Sequence, residues 1–302
     1  MKILKDLLRT VDLLHIWGEV NTSISGICYD SRKIKKNSLF VAISGFKSKG
    51  IDYLPEAIKK GARAVISELP FNNKFKDITW IQVRNIREAL SQISADFFNN
   101  PSKDLYVIGV TGTNGKTTVV SLIDWILNQE EDTAKMGTLG MEHRPDSKMP
   151  GFFEKTSLTT PEAPDIFNFF DRLGQAACKN VVMEVSSVGL KMNRVRDIYF
   201  AQGLFTTFSG DHLDFHKTML DYFESKLMLF KKLSSDGWAI LNSDEQYSYS
   251  KIIEHLNCKY LTYGFSHHAD IRPKIHSFSL DGIQATVMTP KGNIEVRSHL
   301  IG

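Results

Sequence analysis

The strongest feature of this sequence is the segment Gly109-Val-Thr-Gly112-Thr-Asn-Gly115-Lys116-Thr117-Thr118. It follows an apolar run at residues 105–110, which predicts a buried strand, and it precedes residues 119–127, which predict a helix. Glycines at such a junction let backbone N–H groups approach phosphate oxygens. The segment therefore predicts a nucleotide-binding loop, in which Lys116 contacts the β- and γ-phosphates and Thr117 can be a ligand of Mg²⁺.

The loop does not meet the strict Gly-x4-Gly-Lys spacing of phosphate loops, because position 110 is Val. The structural alternative is a glycine-rich turn that joins a strand to a helix without any ligand. We favour nucleotide binding, because the sequence on both sides of the loop agrees with the motif. The candidate nucleotide-binding residues are Gly112, Thr113, Asn114, Gly115, Lys116, Thr117 and Thr118.

Strand-like and helix-like stretches alternate on both sides of the loop. The predicted strands are residues 39–43, 64–66, 78–83, 105–110, 180–185, 201–206 and 238–242. The predicted helices are residues 53–61, 87–98, 119–127, 165–177 and 220–233. Such alternation predicts an α/β fold with a mostly parallel sheet. From about residue 259 the pattern changes to short β-like runs with Gly turns.

One domain boundary is visible in the sequence. The stretch Phe97-Phe-Asn-Asn-Pro101-Ser-Lys-Asp ends one predicted helix and precedes the next strand. Asn-Pro with polar neighbours is typical of a boundary, so we predict a small α/β domain at residues 1–102 and a second domain at 103–302. Before it, apolar positions at helical spacing predict an amphipathic surface helix rather than a signal peptide. These positions are Ile3, Leu4, Leu7, Leu8, Val11 and Leu14.

The composition indicates a globular protein with a balanced charge. The 302 residues carry 37 Lys and Arg against 34 Asp and Glu, too even for an electrostatic binder of nucleic acid or membranes. No apolar run approaches the ~20 residues that span a bilayer. The scattered Cys28, Cys178 and Cys258 form neither a disulfide framework nor a CxxC pair. We therefore expect a cytoplasmic protein without nucleic-acid or membrane partners.

Two further segments carry metal-binding residue types. Glu184 ends a predicted strand, where ligands of open α/β sheets bind, and can hold Mg²⁺, although a Glu in that position is usually solvated. The segment Asp211-His212-Leu-Asp214-Phe-His216 follows the next strand. It suggests metal or phosphate contacts, and the i, i+4 spacing of His212 and His216 also fits a zinc pair. The structural alternative is a helix N-terminus capped by Asp211.

Lys226 lies in an apolar stripe with Phe223, Leu227 and Phe230 on one face of a predicted helix. Such a lysine usually extends its amine to water along the apolar surface. A buried amine with a lowered pKa is the alternative, and it can react with CO₂ to form a carbamate that binds a second Mg²⁺. From the residues alone, the first interpretation is favoured.

Together and in this order, these segments resemble the Mur ligases of peptidoglycan synthesis. The loop at residues 111–118 matches that family's variant of the phosphate loop. Leu158-Thr159-Thr160-Pro161-Glu-Ala-Pro164 and Asp30-Ser31-Arg32, followed by Ser38-Leu-Phe-Val-Ala42 and Gly45, look like the MurE type, which adds the third amino acid. The resemblance covers almost the whole chain.

The resemblance implies an ATP- and Mg²⁺-dependent ligase. ATP phosphorylates the D-Glu side-chain carboxylate of UDP-N-acetylmuramoyl-L-alanyl-D-glutamate, and the amine of a diamino acid, diaminopimelate or lysine, attacks the acyl phosphate. Such chemistry depends on positioning and charge neutralisation. It also implies that residues 1–102 bind the UDP-sugar substrate and that residues 103–302 are the central ATP-binding domain.

The family match also assigns residue roles. The implied catalytic residues are Lys116, Glu184, His212 and Lys226. The implied metal ligands are Thr117, Glu184, His212 and a carbamylated Lys226, which reverses the preference drawn from the residues alone. The implied substrate contacts are Ser31, Phe46, Lys47 and Ser48 for the UDP-sugar end, and Thr159, Thr160, Ser186 and Arg194 for the peptide and sugar portion.

The chain departs from the family pattern at single positions and in length. Val188 stands where the family often has His, Gly210 where it often has Arg, and Leu158 and Met192 where polar residues are common. The family also has a third domain that binds the incoming amino acid, which residues 1–302 do not contain. We therefore expect that these residues alone do not complete ligation.

Two alternatives remain open from the sequence. One is a non-catalytic truncated paralogue that binds ATP or the UDP-sugar substrate without turnover. The other is a different ligase with the same central domain, such as a folylpolyglutamate synthetase or another Mur step. The segment Asp30-Ser31-Arg32 and the Leu158–Pro164 motif argue against the second alternative.

Overall fold

The structure is a computed structural model, and it describes residues 1–45, 48–145 and 151–300. The strands up to the phosphate loop are β1 (Lys2–Ile3), β2 (Leu13–Trp17), β3 (Ser23–Ile24), β4 (Gly26–Cys28), β5 (Ser38–Val41), β6 (Ala62–Ser67), β7 (Thr79–Val83) and β8 (Tyr106–Thr111). The strands after it are β9 (Thr133–Gly137), β10 (Gly140–His143), β11 (Phe152–Glu154), β12 (Asn180–Glu184), β13 (Gln202–Phe205), β14 (Trp238–Asn242), β15 (Lys259–Tyr263), β16 (Arg272–Ser279), β17 (Gly282–Thr289) and β18 (Gly292–Ser298).

Helices connect most of these strands. They are α1 (Leu4–Leu7), α2 (Leu54–Lys59), α3 (Ile86–Phe97), α4 (Lys116–Leu127), α5 (Ala163–Gln175), α6 (Ser187–Lys191), α7 (Leu213–His216), α8 (Met219–Lys231) and α9 (Gln246–Ile253). Within the described ranges, none of them is long and apolar enough to cross a membrane.

The chain divides into two compact units. Unit 1 comprises Met1–Leu105, Pro161–Ala177 and Lys191–Ile198, and unit 2 comprises Tyr106–Thr160, Cys178–Leu190 and Tyr199–Gly302. Helix α5 therefore belongs to unit 1, although its sequence lies well beyond residue 102.

Unit 1 is built on a sheet whose side chains alternate between two cores. The strand order is β2-β7-β6-β5-β4, with β4 to β7 parallel and β2 antiparallel to β7. Successive side chains of a strand face opposite sides, so Leu39 and Val41 enter one apolar core while Phe40 enters the other. The second core also holds Trp80, which is 1% exposed.

Helix α3 covers the first of these two cores. The Asn85 side chain caps it by accepting hydrogen bonds from the backbone N–H groups of Arg87 and Glu88. Its buried positions Ile86, Ala89, Leu90 and Ile93 lie at helical spacing and belong to this core. Helix α5 packs against α3 within the same unit.

The predicted amphipathic helix near the N-terminus is wrong. Only Leu4–Leu7 is helical, and the chain then continues into β2. The run Leu13-Leu-His-Ile-Trp17 is β-forming and pairs antiparallel with β7. This pairing explains why the helical spacing ends early, although Leu4, Leu7, Leu8 and Val11 are buried as the pattern predicted.

Unit 2 is built on a larger sheet with the order β11-β10-β9-β12-β8-β13-β14-β15 over the described residues. Strands β9, β12, β8, β13, β14 and β15 run parallel, and β10 runs antiparallel to its two neighbours. The predicted α/β class with a mostly parallel sheet is confirmed.

Helices cover both faces of this sheet. Val120 of α4 packs with Ile108, Val110 and Val182 on one face. On the other face, Gly109 packs against Phe200 and against Leu229, which lies on α8. A Cβ at position 109 would lie 2.8 Å from the Phe200 ring. Strands β16, β17 and β18 form a separate antiparallel sheet, in agreement with the short β-like runs predicted there.

Candidate functional site

The phosphate loop connects β8 to α4, as the sequence predicted. Gly112 has φ +144°, and a Cβ there would lie 1.9 Å from Oγ1 of Thr206. Gly115 has φ +83° and forms the N-cap of α4. Both positions need glycine, so the loop backbone lies directly against the carboxyl end of the neighbouring strand β13.

Lys116 folds back over the loop. Its Nζ donates hydrogen bonds to the carbonyl oxygens of Gly112 (3.0 Å) and Thr113 (2.8 Å). Burial lowers the pKa of Lys116, whereas the negative charges of Glu184 and Asp211 act in the opposite direction. A cation held at the N-terminal end of α4 suits an anionic ligand such as a phosphate.

Glu184 and Thr117 meet at the carboxyl end of β12. The Thr117 hydroxyl donates to Oε1 of Glu184 at 3.0 Å. The same carboxylate accepts from the backbone N–H of Thr138 at 2.8 Å and from its hydroxyl at 3.2 Å. Glu184 is 1% exposed, so the expectation of a solvated Glu is wrong. The Thr117 hydroxyl and the N–H and hydroxyl of Thr138 replace water as hydrogen-bond donors to the buried carboxylate.

Lys226 is buried and reaches the same loop. It is 1% exposed, and its Nζ donates to the Gly112 carbonyl oxygen at 2.6 Å. The amine also lies 4.3 Å from the centroid of the Tyr222 ring. Burial, with a smaller contribution from the Lys116 charge, lowers the pKa of Lys226 to about 7. The amine therefore does not extend to water, which was the interpretation favoured from the residues alone.

His212 and His216 occupy different environments. His212 precedes α7 in the left-handed conformation, and its side chain is 48% exposed beside Asp211. His216 is buried, with Nε2 2.9 Å from the Ser187 hydroxyl. The zinc-pair interpretation is not supported. The capping interpretation is also wrong, because His212 occupies the N-cap position of α7 and Asp211 accepts from the backbone N–H of His212 rather than from the helix.

Three predicted substrate contacts lie beside Glu184. The Thr160 hydroxyl donates to the Glu184 carbonyl at 3.0 Å and lies 3.1 Å from the Ser186 hydroxyl. Thr159 accepts a hydrogen bond from Thr138, which also contacts the Glu184 carboxylate. The structure therefore places Thr159, Thr160 and Ser186 next to the loop in unit 2.

The other predicted substrate contacts do not lie in unit 2. Ser31 is buried in unit 1, and its hydroxyl donates to Glu56 at 2.7 Å. Ser48 is exposed in a loop of the same unit, whereas Phe46 and Lys47 lie outside the described residues. Arg194 also belongs to unit 1, where its Nε donates to the Glu162 carboxylate at 3.0 Å.

Sequence reasoning missed several residues that shape these sites. Thr138 directly follows β9 at the sheet edge that carries Glu184, a position the strand pattern can indicate. Gly137 precedes it, and a Cβ there would lie 2.2 Å from Oε1 of Glu184. In unit 1, Glu162 pairs with both Arg194 and Arg87, which no local pattern reveals.

The donor set of the unit 2 site fits magnesium. Mg²⁺ prefers oxygen ligands, usually one or two carboxylates together with waters and substrate phosphates. The Thr117 hydroxyl and the Glu184 carboxylate, 3.0 Å apart, are such ligands. His212 contributes a nitrogen and makes no contact with Glu184 or Thr117 in the described structure, so it fits this ion less well.

Two family models match the chain. The model for the Mur ligase middle domain matches residues 110–302, and the model for the catalytic domain of the Mur ligase family matches residues 23–98. The two matches fall in both units and include residues 110–118 of the phosphate loop, Glu184 and Lys226.

Curated relatives carry one recurrent name. A UDP-N-acetylmuramoyl-L-alanyl-D-glutamate–2,6-diaminopimelate ligase of Caldanaerobacter subterraneus subsp. tengcongensis is 39% identical over 302 residues, with 98% of this chain and 60% of the relative covered. The Clostridium tetani protein of the same name is 37% identical, with 99% and 60% covered. The chain thus spans about 60% of the length of the relatives it matches.

Solved structures of related ligases have the same fold as this chain. A structure of a UDP-N-acetylmuramoyl-L-alanyl-D-glutamate–2,6-diaminopimelate ligase superposes with a TM-score of 0.79 at 26% identity, over 96% of this chain and 58% of that one. The MurF ligase of Thermotoga maritima in complex with ADP, at 17% identity and TM-score 0.62 over 90% and 57%, shares the fold. With a family model matched over residues 110–302 and the phosphate loop in place, the chain belongs to the Mur ligase family.

Proposed function

We propose that this chain forms the UDP-sugar-binding and ATP-binding parts of a ligase that adds 2,6-diaminopimelate to UDP-N-acetylmuramoyl-L-alanyl-D-glutamate. The names of the two curated relatives described above support this substrate pair. The three scattered cysteines support a cytoplasmic location for the reaction. The domain assignment belongs to the same proposal, with residues 1–102 for the UDP-sugar substrate and 103–302 for ATP.

The observation that carries the proposal is that two lysine amines, one from the buried Lys226 and one from the partly buried Lys116, donate to the same carbonyl oxygen. Lys116 and Lys226 both donate to the Gly112 oxygen, at 3.0 and 2.6 Å. Lys116 carries its positive charge beside an amine whose pKa is about 7, so a negative charge next to the loop is favoured. The γ-phosphate of ATP, bound by the loop N–H groups at the start of α4, supplies that negative charge.

In the proposed reaction, ATP transfers its γ-phosphoryl group to the side-chain carboxylate of D-Glu. The amine of diaminopimelate then attacks the acyl phosphate carbon, and the products are an amide, ADP and phosphate. The residues of this chain hold and orient the reactants, and Lys116 balances the charge that moves between the β- and γ-phosphates. Positioning can supply a large part of the barrier reduction.

We assign the substrate contacts by the portion of the substrate that they hold. Ser31, Phe46, Lys47 and Ser48 hold the UDP-sugar end, and Thr159, Thr160, Ser186 and Arg194 hold the peptide and sugar portion. The hydroxyls of Thr159, Thr160 and Ser186 support this role, because they lie around Glu184 beside the phosphate loop. Arg194 offers a planar guanidinium that suits an anionic substrate.

Magnesium is part of the proposal. Thr117 and Glu184 would hold one ion, a carbamylated Lys226 would supply a carboxylate for a second, and His212 is the remaining candidate ligand. The bound ion would neutralise phosphate charge during transfer. For the carbamate, the neutral Lys226 amine forms an N–C bond to CO₂ and releases one proton, and its low pKa makes the neutral amine abundant near pH 7.

The proposal predicts that the protein binds a non-hydrolysable ATP analogue with Mg²⁺, which calorimetry measures. Lys116→Met should weaken this binding by about tenfold or more, because a charge-assisted contact to phosphate is worth about 1.5–3 kcal/mol. Lys231→Met on the exposed face of α8 is the matched control and should bind like the wild type. Equal affinity in the Lys116→Met variant and the wild type would rule out a phosphate role for this loop.

A further inference from the structure

Three metal-binding side chains meet at the sheet edge opposite the phosphate loop. Asp132 precedes β9, Cys178 lies two residues before β12, and His143 ends β10. Because β9 runs parallel to β12 and antiparallel to β10, the start of β9 lies beside the start of β12 and the end of β10. The phosphate loop leaves the carboxyl end of β8, so the cluster is separate from the nucleotide site.

The donor atoms of the cluster are close together. One ligand atom from each of Asp132, His143 and Cys178 lies within 4.8 Å of the other two. Nε2 of His143 is 2.8 and 3.0 Å from the two carboxylate oxygens of Asp132. A tetrahedral zinc site with bonds of about 2.0–2.3 Å separates its donor atoms by roughly 3.2–3.8 Å. Small side-chain adjustments therefore bring these atoms to zinc distances.

Burial and hydrogen bonding set this cluster apart from a surface ion pair. His143 is 1% exposed and Cys178 is 3% exposed. The Asp132 side chain is 32% exposed, which leaves an open path to solvent. Nδ1 of the His143 ring is buried without a hydrogen-bond partner among the described residues.

The simpler interpretation is an ion pair between His143 and Asp132 beside a buried thiol. It accounts for the contact at Nε2, but it does not account for the position of the Cys178 thiol beside both side chains. Carboxylate oxygen, imidazole nitrogen and thiolate sulfur are the three donor types that zinc selects. We propose that Asp132, His143 and Cys178 form a site for a Zn²⁺-like divalent cation that ties β9, β10 and β12 together, with water as the fourth ligand.

Binding changes the protonation of the thiol. Burial, followed by the negative charge of Asp132, raises the pKa of Cys178 to about 12, so the metal-free thiol carries its proton. Its Sγ lies 3.3 Å from the carbonyl oxygen of Asn180 and 3.5 Å from that of Asp132. On binding, the S–H proton leaves to solvent and the thiolate sulfur bonds to the metal.

Cobalt provides a direct test, because Co²⁺ occupies zinc sites and a thiolate ligand gives it a near-ultraviolet charge-transfer absorption. Metal-free protein titrated with CoCl₂ should develop this absorption at one equivalent and lose it when ZnCl₂ is added. The double variant Cys28→Ser/Cys258→Ser leaves Cys178 as the single thiol of the chain. This variant should keep the full absorption. It leaves all three proposed ligands unaltered, so it tests whether Cys178 is the thiol that binds the metal.

The His143→Gln variant tests the second ligand and should bind Co²⁺ at least about tenfold more weakly. His276→Gln, at an exposed histidine of β16, is its matched control and should bind like the wild type. No charge-transfer absorption in the wild type would overturn the proposal. So would loss of the absorption in the double variant, or unchanged cobalt affinity in His143→Gln.

Discussion

At the residue scale, Lys226 is the most informative position of unit 2. The side chain is 1% exposed, so burial disfavours the protonated amine, and the nearby Lys116 charge adds a smaller effect in the same direction. These surroundings explain the pKa of about 7 and support a reaction that needs the neutral amine.

We expect Lys226 to form a carbamate. Under a fixed partial pressure of ¹³CO₂, the ¹³C NMR spectrum should show one carbamate signal that grows as the pH rises through about 7. The sign follows from the protonation state, because only the neutral amine reacts and its fraction increases above the pKa. Lys226→Met should lack the signal, and Lys231→Met should retain it. A signal that persists in Lys226→Met would assign the carbamate to another amine.

Glu162 is the most informative position of unit 1. Its side chain is 7% exposed and pairs with Arg194 at 3.0 Å and with Arg87 at 3.2 Å. Burial lowers the pKa of Arg194, and the Glu162 charge opposes this effect. Arg194, a proposed substrate contact, is therefore held in place by a carboxylate that no local sequence pattern revealed.

Glu162→Gln should lower the free energy of unfolding by about 3–5 kcal/mol, because it removes the anion between two largely buried guanidinium groups. Urea denaturation followed by circular dichroism measures this loss. Glu254→Gln is the control, since Glu254 forms an exposed pair with Lys251 that is worth about 0–1 kcal/mol. If the two variants lost equal free energy of unfolding, the buried ion pairs of Glu162 would stabilise the protein no more than the exposed pair does.

At the element scale, strand β8, the phosphate loop and helix α4 together form the nucleotide site. Gly112 has a left-handed φ, and Oγ1 of Thr206 occupies the space that a side chain there would need. Gly112→Ala should therefore shift the loop and reduce binding of the Mg²⁺–ATP analogue by at least about tenfold in calorimetry, since strain at such positions costs about 1–3 kcal/mol.

Gly210→Ala is the matched control for this substitution. A Cβ at position 210 would meet nothing within 4 Å, and its φ lies outside the left-handed region. We expect unchanged affinity and unchanged unfolding in this variant. If Gly112→Ala bound the nucleotide as well as Gly210→Ala, the loop would not approach the phosphates through its backbone.

The sequence predicted those elements that have strong local signals. The apolar run Val107 to Val110 and the glycines that follow it predicted the strand and the loop correctly. The helix after the loop was predicted to begin at Val119, whereas it begins at Lys116. The short antiparallel strands β10 and β11 were not predicted, because they lack an apolar run. Residues 3–14 were mispredicted as a helix, since the pairing of β2 with β7 is a tertiary interaction that helical spacing does not show.

The candidate site was predictable where a motif marked it. Lys116, Thr117 and Glu184 lie close together because the parallel strands β8 and β12 end at one edge of the sheet, and Lys226 reaches the same loop from helix α8. The partners that fix them, such as Thr138 for Glu184, come from connections distant in sequence. Their contacts depend on the packed structure, so a pattern within one segment did not reveal them.

At the scale of the whole molecule, the chain combines two family-matched regions, residues 23–98 and 110–302. It spans about 60% of the length of its curated relatives. Substrate recognition by the residues present can therefore be tested by binding, without any need for turnover.

The most direct measurement is isothermal titration calorimetry of the 302-residue protein with UDP-N-acetylmuramoyl-L-alanyl-D-glutamate, in the presence of the Mg²⁺–ATP analogue, with folate as the control ligand. We predict a micromolar dissociation constant, about −8 kcal/mol, for the UDP-linked dipeptide, and no heat of binding for folate. Absence of binding by the UDP-linked dipeptide, or equal binding of folate, would contradict the proposed function.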